Sequence, residues 1–401
     1  MKEINGGITS INGILTAGGH CGIKPEKKDI ALIYSPIPAT AVALFTRNKL
    51  KAAPLIVTKE HLQTSKKIHA IIINSGNANA CTGKQGLKDA KKMAQITALS
   101  LGVPIKTVLV ASTGIIGKPL PMEKIEKGIK QLIKFLGPKS EDAAWAILTT
   151  DTKPKEIALE FELTGGIKAK IGAMAKGAGM ICPNLATMLV FITTDVAISK
   201  RLLKKALTTA VNKSFNLITI DGDTSPNDMV ILLANGLAKN EVITSSNTND
   251  FNKFQQSLDY VCSNLAQKMV EEGEGVTKLL KINVKGAKSF LEAKQVAMSV
   301  AKSQLVRCAF YGQDPNWGRI ITACGYSGIK INPNIIDIYF DRELIAKNGQ
   351  GIAFNLDKVK NILSQKEILI TIDLKQGRQE IMVLGSDLSM EYVRLNAHYT
   401  T

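Results

Sequence analysis

Lys176-Gly-Ala-Gly-Met-Ile-Cys-Pro-Asn-Leu-Ala-Thr187-Met-Leu-Val-Phe-Ile-Thr-Thr-Asp195 passes from a glycine-rich, proline-containing loop into an apolar, partly β-branched run. Such a run reads as a buried strand, and the loop before it delivers Thr187 to the strand's first position. The placement has chemical weight because threonine is a poor nucleophile unless a base sits beside it. Cutting the peptide bond before the threonine frees its own α-amine, which supplies that base. An ordinary loop entering a core strand is the competing reading of the same residues.

The 401 residues allow a large core, expected to be divided between two domains. Hydrophobic content of 45% with 21% charged residues is that of a soluble globular protein. The run at 188–192 is far shorter than the roughly 20 apolar residues a membrane span needs. Glycines and polar residues interrupt Met1-Lys-Glu-Ile-Asn-Gly-Gly-Ile-Thr-Ser10, so no signal peptide and a cytoplasmic location are expected. The six cysteines, Cys21, Cys81, Cys182, Cys262, Cys308 and Cys324, form no Cys-x-x-Cys pair. Reduced thiols are therefore expected rather than a disulfide framework. The four histidines, His20, His61, His69 and His398, follow no ligand spacing, and neither a metal nor a cofactor is expected.

A net charge of +17 raises the question of nucleic acid. The basic residues are scattered through segments such as Lys124–Lys134 and Lys200–Lys205, and aromatic content is only 5%, thin for base stacking. A solvated surface that draws anionic small molecules inward accounts for the charge, with neither nucleic acid nor membrane as partner.

Along the chain, β-rich runs at Asp29–Tyr34, Ala41–Thr46, Ala70–Ile73 and Thr107–Ala111 alternate with helical patterns at Gly86–Leu101, Met122–Phe135 and Glu141–Leu148. Residues 156–174 read as a hairpin turning at Thr164-Gly165-Gly166. After Thr187 come a strand, a helix at Ser199–Phe215, a strand at Leu217–Asp221 and a helix from Asp250 to Glu271. The tail adds a helix near Lys288–Gln304, a glycine-punctuated element after Pro315, and strands near Ile335–Phe340, Ile368–Leu374 and Gln379–Leu384. The whole is α/β, with helices layered on sheets. A boundary near residue 283 would divide a main domain, 1–282, from a smaller C-terminal α/β domain, 283–401.

Gly177-Ala-Gly179 and Gly114-Ile-Ile-Gly117-Lys118 miss the spacing of phosphate loops and dinucleotide fingerprints. Asp221-Gly-Asp-Thr-Ser-Pro-Asn-Asp228 is no calcium loop, because Pro226 takes the place of the required glycine and Leu232 that of the bidentate glutamate. Ala111-Ser-Thr113-Gly114 follows an apolar strand and offers a hydroxyl and backbone N–H groups at a turn, the equipment of an oxyanion hole. A helix N-cap by Ser112 or Thr113 competes with that reading. The asparagine-rich Asn74–Gly83 segment reads as a structural strand-to-helix turn. Glu271-Glu-Gly-Glu274-Gly275 puts acidic residues at a helix end where the dipole favours cations, either as a site for a cationic group or as a solvated end. Asn396-Ala-His-Tyr-Thr-Thr401 is a polar, aromatic ending that usually frays.

Taken in order, these pieces resemble the ornithine acetyltransferases, or glutamate N-acetyltransferases, of arginine biosynthesis. Matching segments include Lys51-Ala-Ala-Pro54, Thr113-Gly114, Thr149-Thr-Asp-Thr152, Met174–Ile181, Pro183–Leu189, Asp221–Asp228, Gly273-Glu-Gly275, Asp314-Pro-Asn-Trp-Gly-Arg319 and Asn396–Thr401. The resemblance implies an αββα-like layered sandwich of the self-cleaving type, cut between Ala186 and Thr187. It further implies two cleaved chains in one globule, associated as a heterotetramer. Thr187 would be the nucleophile in ping-pong transfer of acetyl from N2-acetylornithine to glutamate, with Thr113 and Gly114 as the oxyanion hole. Thr150, Lys176, Thr187, Glu274, Asn396 and Thr401 would contact substrate, Thr150 having Thr149 and Thr152 as close alternatives. Acetyl-CoA as a second donor stays open on these residues, Cys182 has no assigned role, and a related N-terminal-nucleophile amidase or aminopeptidase is the alternative.

Overall fold

The computed structural model describes residues 1–182 and 188–398. Leu189–Thr194, the apolar run after the glycine-rich loop, is a strand buried at every position. Successive side chains of a strand point to opposite faces, and here each face serves a different layer. Leu189 and Phe191 join Ile71, Ile73, Leu109 and Ala111 in an apolar seam between two sheet halves. Val190 and Ile192 face the other way, onto Leu203, Leu207, Leu258 and Leu265 of two covering helices.

One half of the nine-stranded assembly runs Lys2–Ile4, Lys155–Glu162, Lys168–Lys176, Leu189–Thr194, Met229–Ala234 and then residues 40–45 of the long strand Ile30–Phe45. The other half pairs residues 30–34 of that strand with Leu15–Gly19 and Ile68–Asn77, and Ile68–Asn77 in parallel with Val108–Ile115. Pairing shifts register between Tyr34 and Ala39, where Pro36 and Pro38 supply no N–H to a ladder. The two runs expected at 29–34 and 41–46 are thus one bent strand that passes from one half to the other.

Lys200–Lys213 and Asn249–Glu271 cover the first half. Gly83–Leu101 and Met122–Leu132 cover the second through Ala90, Met93, Ile125 and Ile129. Helices, sheet, sheet, helices is the expected αββα layering.

A six-stranded sheet follows, in the spatial order Gln350–Gly351, Glu343–Lys347, Asp337–Phe340, Glu367–Asp373, Leu279–Ala287 and Gln379–Ser386. Phe290–Lys302 packs on it through Ala293, Val296, Ala297 and Val300. One apolar core runs from the covering helices of the first assembly into this sheet. The strand expected at Leu217–Asp221 is not formed. Phe215–Leu217 is a single 3-10 turn, and only Ile218 makes an isolated bridge, to Leu384, because the following residues turn back to line the site described next.

Candidate active site

Val108–Ile115 runs parallel to Ile68–Asn77, and their pairing loses regular register at Gly76 and Asn77. Gly114 sits at that irregularity with φ of 131°, and a Cβ there would lie 2.3 Å from the Gly76 carbonyl carbon. Only glycine fits so close an approach. Thr113, 4% exposed, is thereby carried at the end of a strand, and the helix N-cap alternative fails. The next α-helix begins at Met122 after Pro121, and Ser112 Oγ donates to Asn74 Oδ1 at 2.6 Å instead of capping. The asparagines of residues 74–83 hold the neighbouring turn as expected: Asn74 Nδ2 donates to Asn77 O, and Asn79 Nδ2 to Gly86 O.

Lys176 ends the strand Lys168–Lys176 and is 2% exposed. Asp151 lies beneath it, accepting from Lys155 Nζ at 2.8 Å and from the Gly177 N–H at 2.7 Å, with Lys176 Nζ 3.8 Å away. Burial alone would raise the Asp151 carboxyl, but the two ammonium groups and these hydrogen bonds hold it down at about 2. Asp151 is therefore a carboxylate shared by two buried lysines. At 3.8 Å, beyond hydrogen-bond range, it leaves the Lys176 donors able to take a bound anion.

Glu274 follows the helix Asn249–Glu271, and its backbone N–H donates to Ala178 O at 2.8 Å. Its carboxylate lies against Gly179, where an added Cβ would come within 2.5 Å of Oε2. The glycine-rich loop before the proposed scissile bond is thus bare at Gly179 to admit a carboxylate. Asn396, on the helix Met390–His398, donates from Nδ2 to Glu274 Oε2 at 2.9 Å.

Thr113, Gly114, Thr150, Lys176, Glu274 and Asn396 all line one cavity. Thr149 lines it too, whereas Thr152 is exposed and does not. Ala186, Thr187 and Thr401 lie outside the described residues. The cavity wall holds a cation and several carboxylates, a charge pattern that suits a zwitterionic amino acid.

Sequence reasoning missed the part of the wall made by Asp221, Asp223, Ser225 and Asn227, having considered that run only as a failed calcium loop and a family match. The usable signal was its density of polar residues, which a plain connection does not need. Asp221 accepts from the N–H groups of Met180, Ile181 and Asp223, pinning the glycine-rich loop to this run. Burial pushes its carboxyl up to about 6, with Asp223 adding and the three N–H groups opposing. Asp228, fully buried, accepts from the Met188 N–H at 3.0 Å. Burial raises its carboxyl well above the usual range, against the pull of that N–H and of Lys176. Burial likewise raises the Cys182 thiol, which sits in the apolar core. A raised, buried thiol is inert.

Among the described residues, no group of three or more His, Cys, Asp and Glu could hold a metal ion, and no helix is long and apolar enough to cross a membrane.

The chain matches the ArgJ family over residues 15–401. The arginine biosynthesis bifunctional protein ArgJ of Thermotoga neapolitana is 46% identical over 394 residues, 97% of this chain and 99% of that protein. The protein of the same name from Listeria monocytogenes serotype 4b is 46% identical over 401 residues, the full length of both. A solved chain of ornithine acetyltransferase from Mycobacterium tuberculosis, complexed with ornithine, is 38% identical over 45% of this chain and 97% of its own, with a TM-score of 0.42. Matches of such length and identity to the ArgJ proteins leave no room for another assignment: the chain belongs to the ArgJ family, the bifunctional acetyltransferases of arginine biosynthesis.

Proposed function

We propose that this enzyme moves an acetyl group from N2-acetylornithine to glutamate through an acetyl ester on Thr187, after cutting itself between Ala186 and Thr187. The observation that carries the reading is the gathering of Thr113, Gly114, Thr150, Lys176, Glu274 and Asn396 around one cavity, beside the loop that leads to Thr187.

Maturation follows from the residue types. Thr187 Oγ attacks the Ala186 carbonyl carbon, and the departing nitrogen takes a proton as the acyl group shifts from nitrogen to oxygen. Water then hydrolyses the ester, leaving the Ala186 carboxylate and a free α-amine on Thr187. An α-amine titrates at roughly 8, so a usable fraction is unprotonated at neutral pH. No histidine is needed.

In turnover the amine takes the Thr187 hydroxyl proton as Oγ attacks the acetyl carbonyl carbon, and returns it to the ornithine nitrogen as that bond breaks. Thr113 and Gly114 stabilise the oxyanion. Lys176 binds the substrate α-carboxylate and Glu274, braced by Asn396, binds the ornithine side-chain ammonium. Glutamate then enters and its amine takes the acetyl group from the ester. We further propose a cytoplasmic enzyme whose two cleaved chains associate as a heterotetramer, with Thr150 and Thr401 completing the substrate contacts. The division into 1–282 and 283–401 is likewise a proposal, the cut falling within the strand Leu279–Ala287.

Labelled acetyl tests the reading against the amidase or aminopeptidase alternative. With acetyl-labelled N2-acetylornithine and glutamate, label on glutamate supports transfer, and label found only as free acetate contradicts it. Lys176→Ala should raise KM for both substrates, since a charge-assisted contact is worth about 1.5–3 kcal/mol. Steady-state kinetics on both substrates check this, and unchanged kcat/KM for both removes Lys176 from the site.

A further inference from the structure

Asn227 is 4% exposed and lines the cavity together with Thr113 and Gly114. Its Nδ2 donates to Ala78 O at 2.6 Å and to Ser112 O at 2.8 Å, and its backbone N–H to Ser225 Oγ at 3.1 Å. The two carbonyls fix which way the carboxamide faces, because turning it over would set Oδ1 against two acceptors. Oδ1 is buried without a hydrogen-bond partner among the described residues. Buried acceptors are nearly always satisfied, so one without a donor, on a residue that lines a site, fits a donor supplied by what binds there.

The mounting of this carboxamide says which donor. Ser112 immediately precedes Thr113, so Asn227 is tied to the strand that carries the proposed oxyanion contacts. An acetyl oxygen held by Thr113 and Gly114 brings with it the nitrogen bonded to the same carbon, about 2.3 Å from that oxygen by amide geometry. That nitrogen carries an N–H and has no other purpose-built acceptor in the proposed scheme.

We propose that Asn227 Oδ1 accepts a hydrogen bond from the substrate nitrogen that gives or receives the acetyl group. The inference rests on the acyl-transfer reading above. Holding the carbonyl oxygen and the N–H of one amide at once fixes its plane, so the nucleophile meets a single face. In the second half-reaction the same acceptor holds an N–H of the incoming amine and leaves its lone pair directed at the ester carbon.

The test compares two acetyl donors on fully cleaved parent and Asn227→Ala enzymes: N2-acetylornithine, which has the N–H, and 4-nitrophenyl acetate, which has none. Single-turnover acetylation is followed for each. The ratio of amide rate to ester rate should drop about 10- to 100-fold in the variant, the usual consequence of losing one buried hydrogen bond to substrate. An unchanged ratio overturns the proposal, including the case in which both donors slow together. A parent enzyme that neither donor acetylates refutes the acyl-transfer reading and this proposal with it. Should the variant remain uncut, N2-acetyl-N2-methylornithine replaces it on the parent enzyme. Acetylation at least about 10-fold slower than with N2-acetylornithine supports the contact, and equal rates overturn it.

Discussion

Thr187→Ala should accumulate as a full-length chain that neither cuts itself nor transfers acetyl. Both reactions begin with the same hydroxyl, so one substitution removes them together. The size of the effect follows from the absence of a substitute: Met188 follows directly, and no other hydroxyl stands at the end of the glycine-rich loop. Denaturing electrophoresis separates the outcomes, because the parent should give fragments 1–186 and 187–401. A variant that still splits at this bond, or an uncut parent that is fully active, would remove the α-amine base from the mechanism.

Thr113→Ala should lower kcat by about 100- to 1,000-fold, the usual cost of losing one oxyanion donor. KM should change less, since the contact is strongest once charge develops on the oxygen. Self-cleavage passes through a similar tetrahedral intermediate, so maturation should slow as well and the kinetics must use cleaved protein. A parental kcat in cleaved enzyme would leave Thr113 as a strand residue that merely lines the cavity.

Much of the layering was legible because the strands and helices that form it carry strong local patterns. Leu189–Thr194 is buried on both faces and reads as a solid apolar run, and Asn249–Glu271 repeats its apolar residues at helical spacing. Ala53–Thr64 escaped notice because its buried face carries the polar Thr58 and His61 while its solvent face carries the exposed Ile56, which blurs the amphipathic stripe. Leu217–Asp221 failed for the opposite reason: its β-branched residues suit a strand, yet Asp221 is drawn to the Met180 and Ile181 N–H groups.

The site was less legible from local patterns than the fold. Asn396 and Glu274 meet across 122 residues, and no periodicity predicts such a pair. Lys176 could be marked only through family resemblance, since the sequence does not reveal that Asp151 and Lys155 lie beneath it. The Ser112-Thr113-Gly114 reading was chemically apt but structurally open, and the close approach of Gly114 to Gly76 decided it in favour of a strand end. Asn227 is marked in the sequence only as one polar residue of the Asp221–Asp228 run, because its own interest lies in one buried atom left without a donor.

The central claim is that Thr187, freed by cleavage, carries the acetyl group. Intact-mass measurement of cleaved enzyme mixed with N2-acetylornithine in the absence of glutamate tests it most directly. The fragment 187–401 should gain the mass of one acetyl group, mapped to Thr187 as a hydroxylamine-labile ester and lost when glutamate is added, with acetylglutamate as product. Acetyl on fragment 1–186, or transfer that proceeds with no acetylated enzyme formed at all, would contradict it.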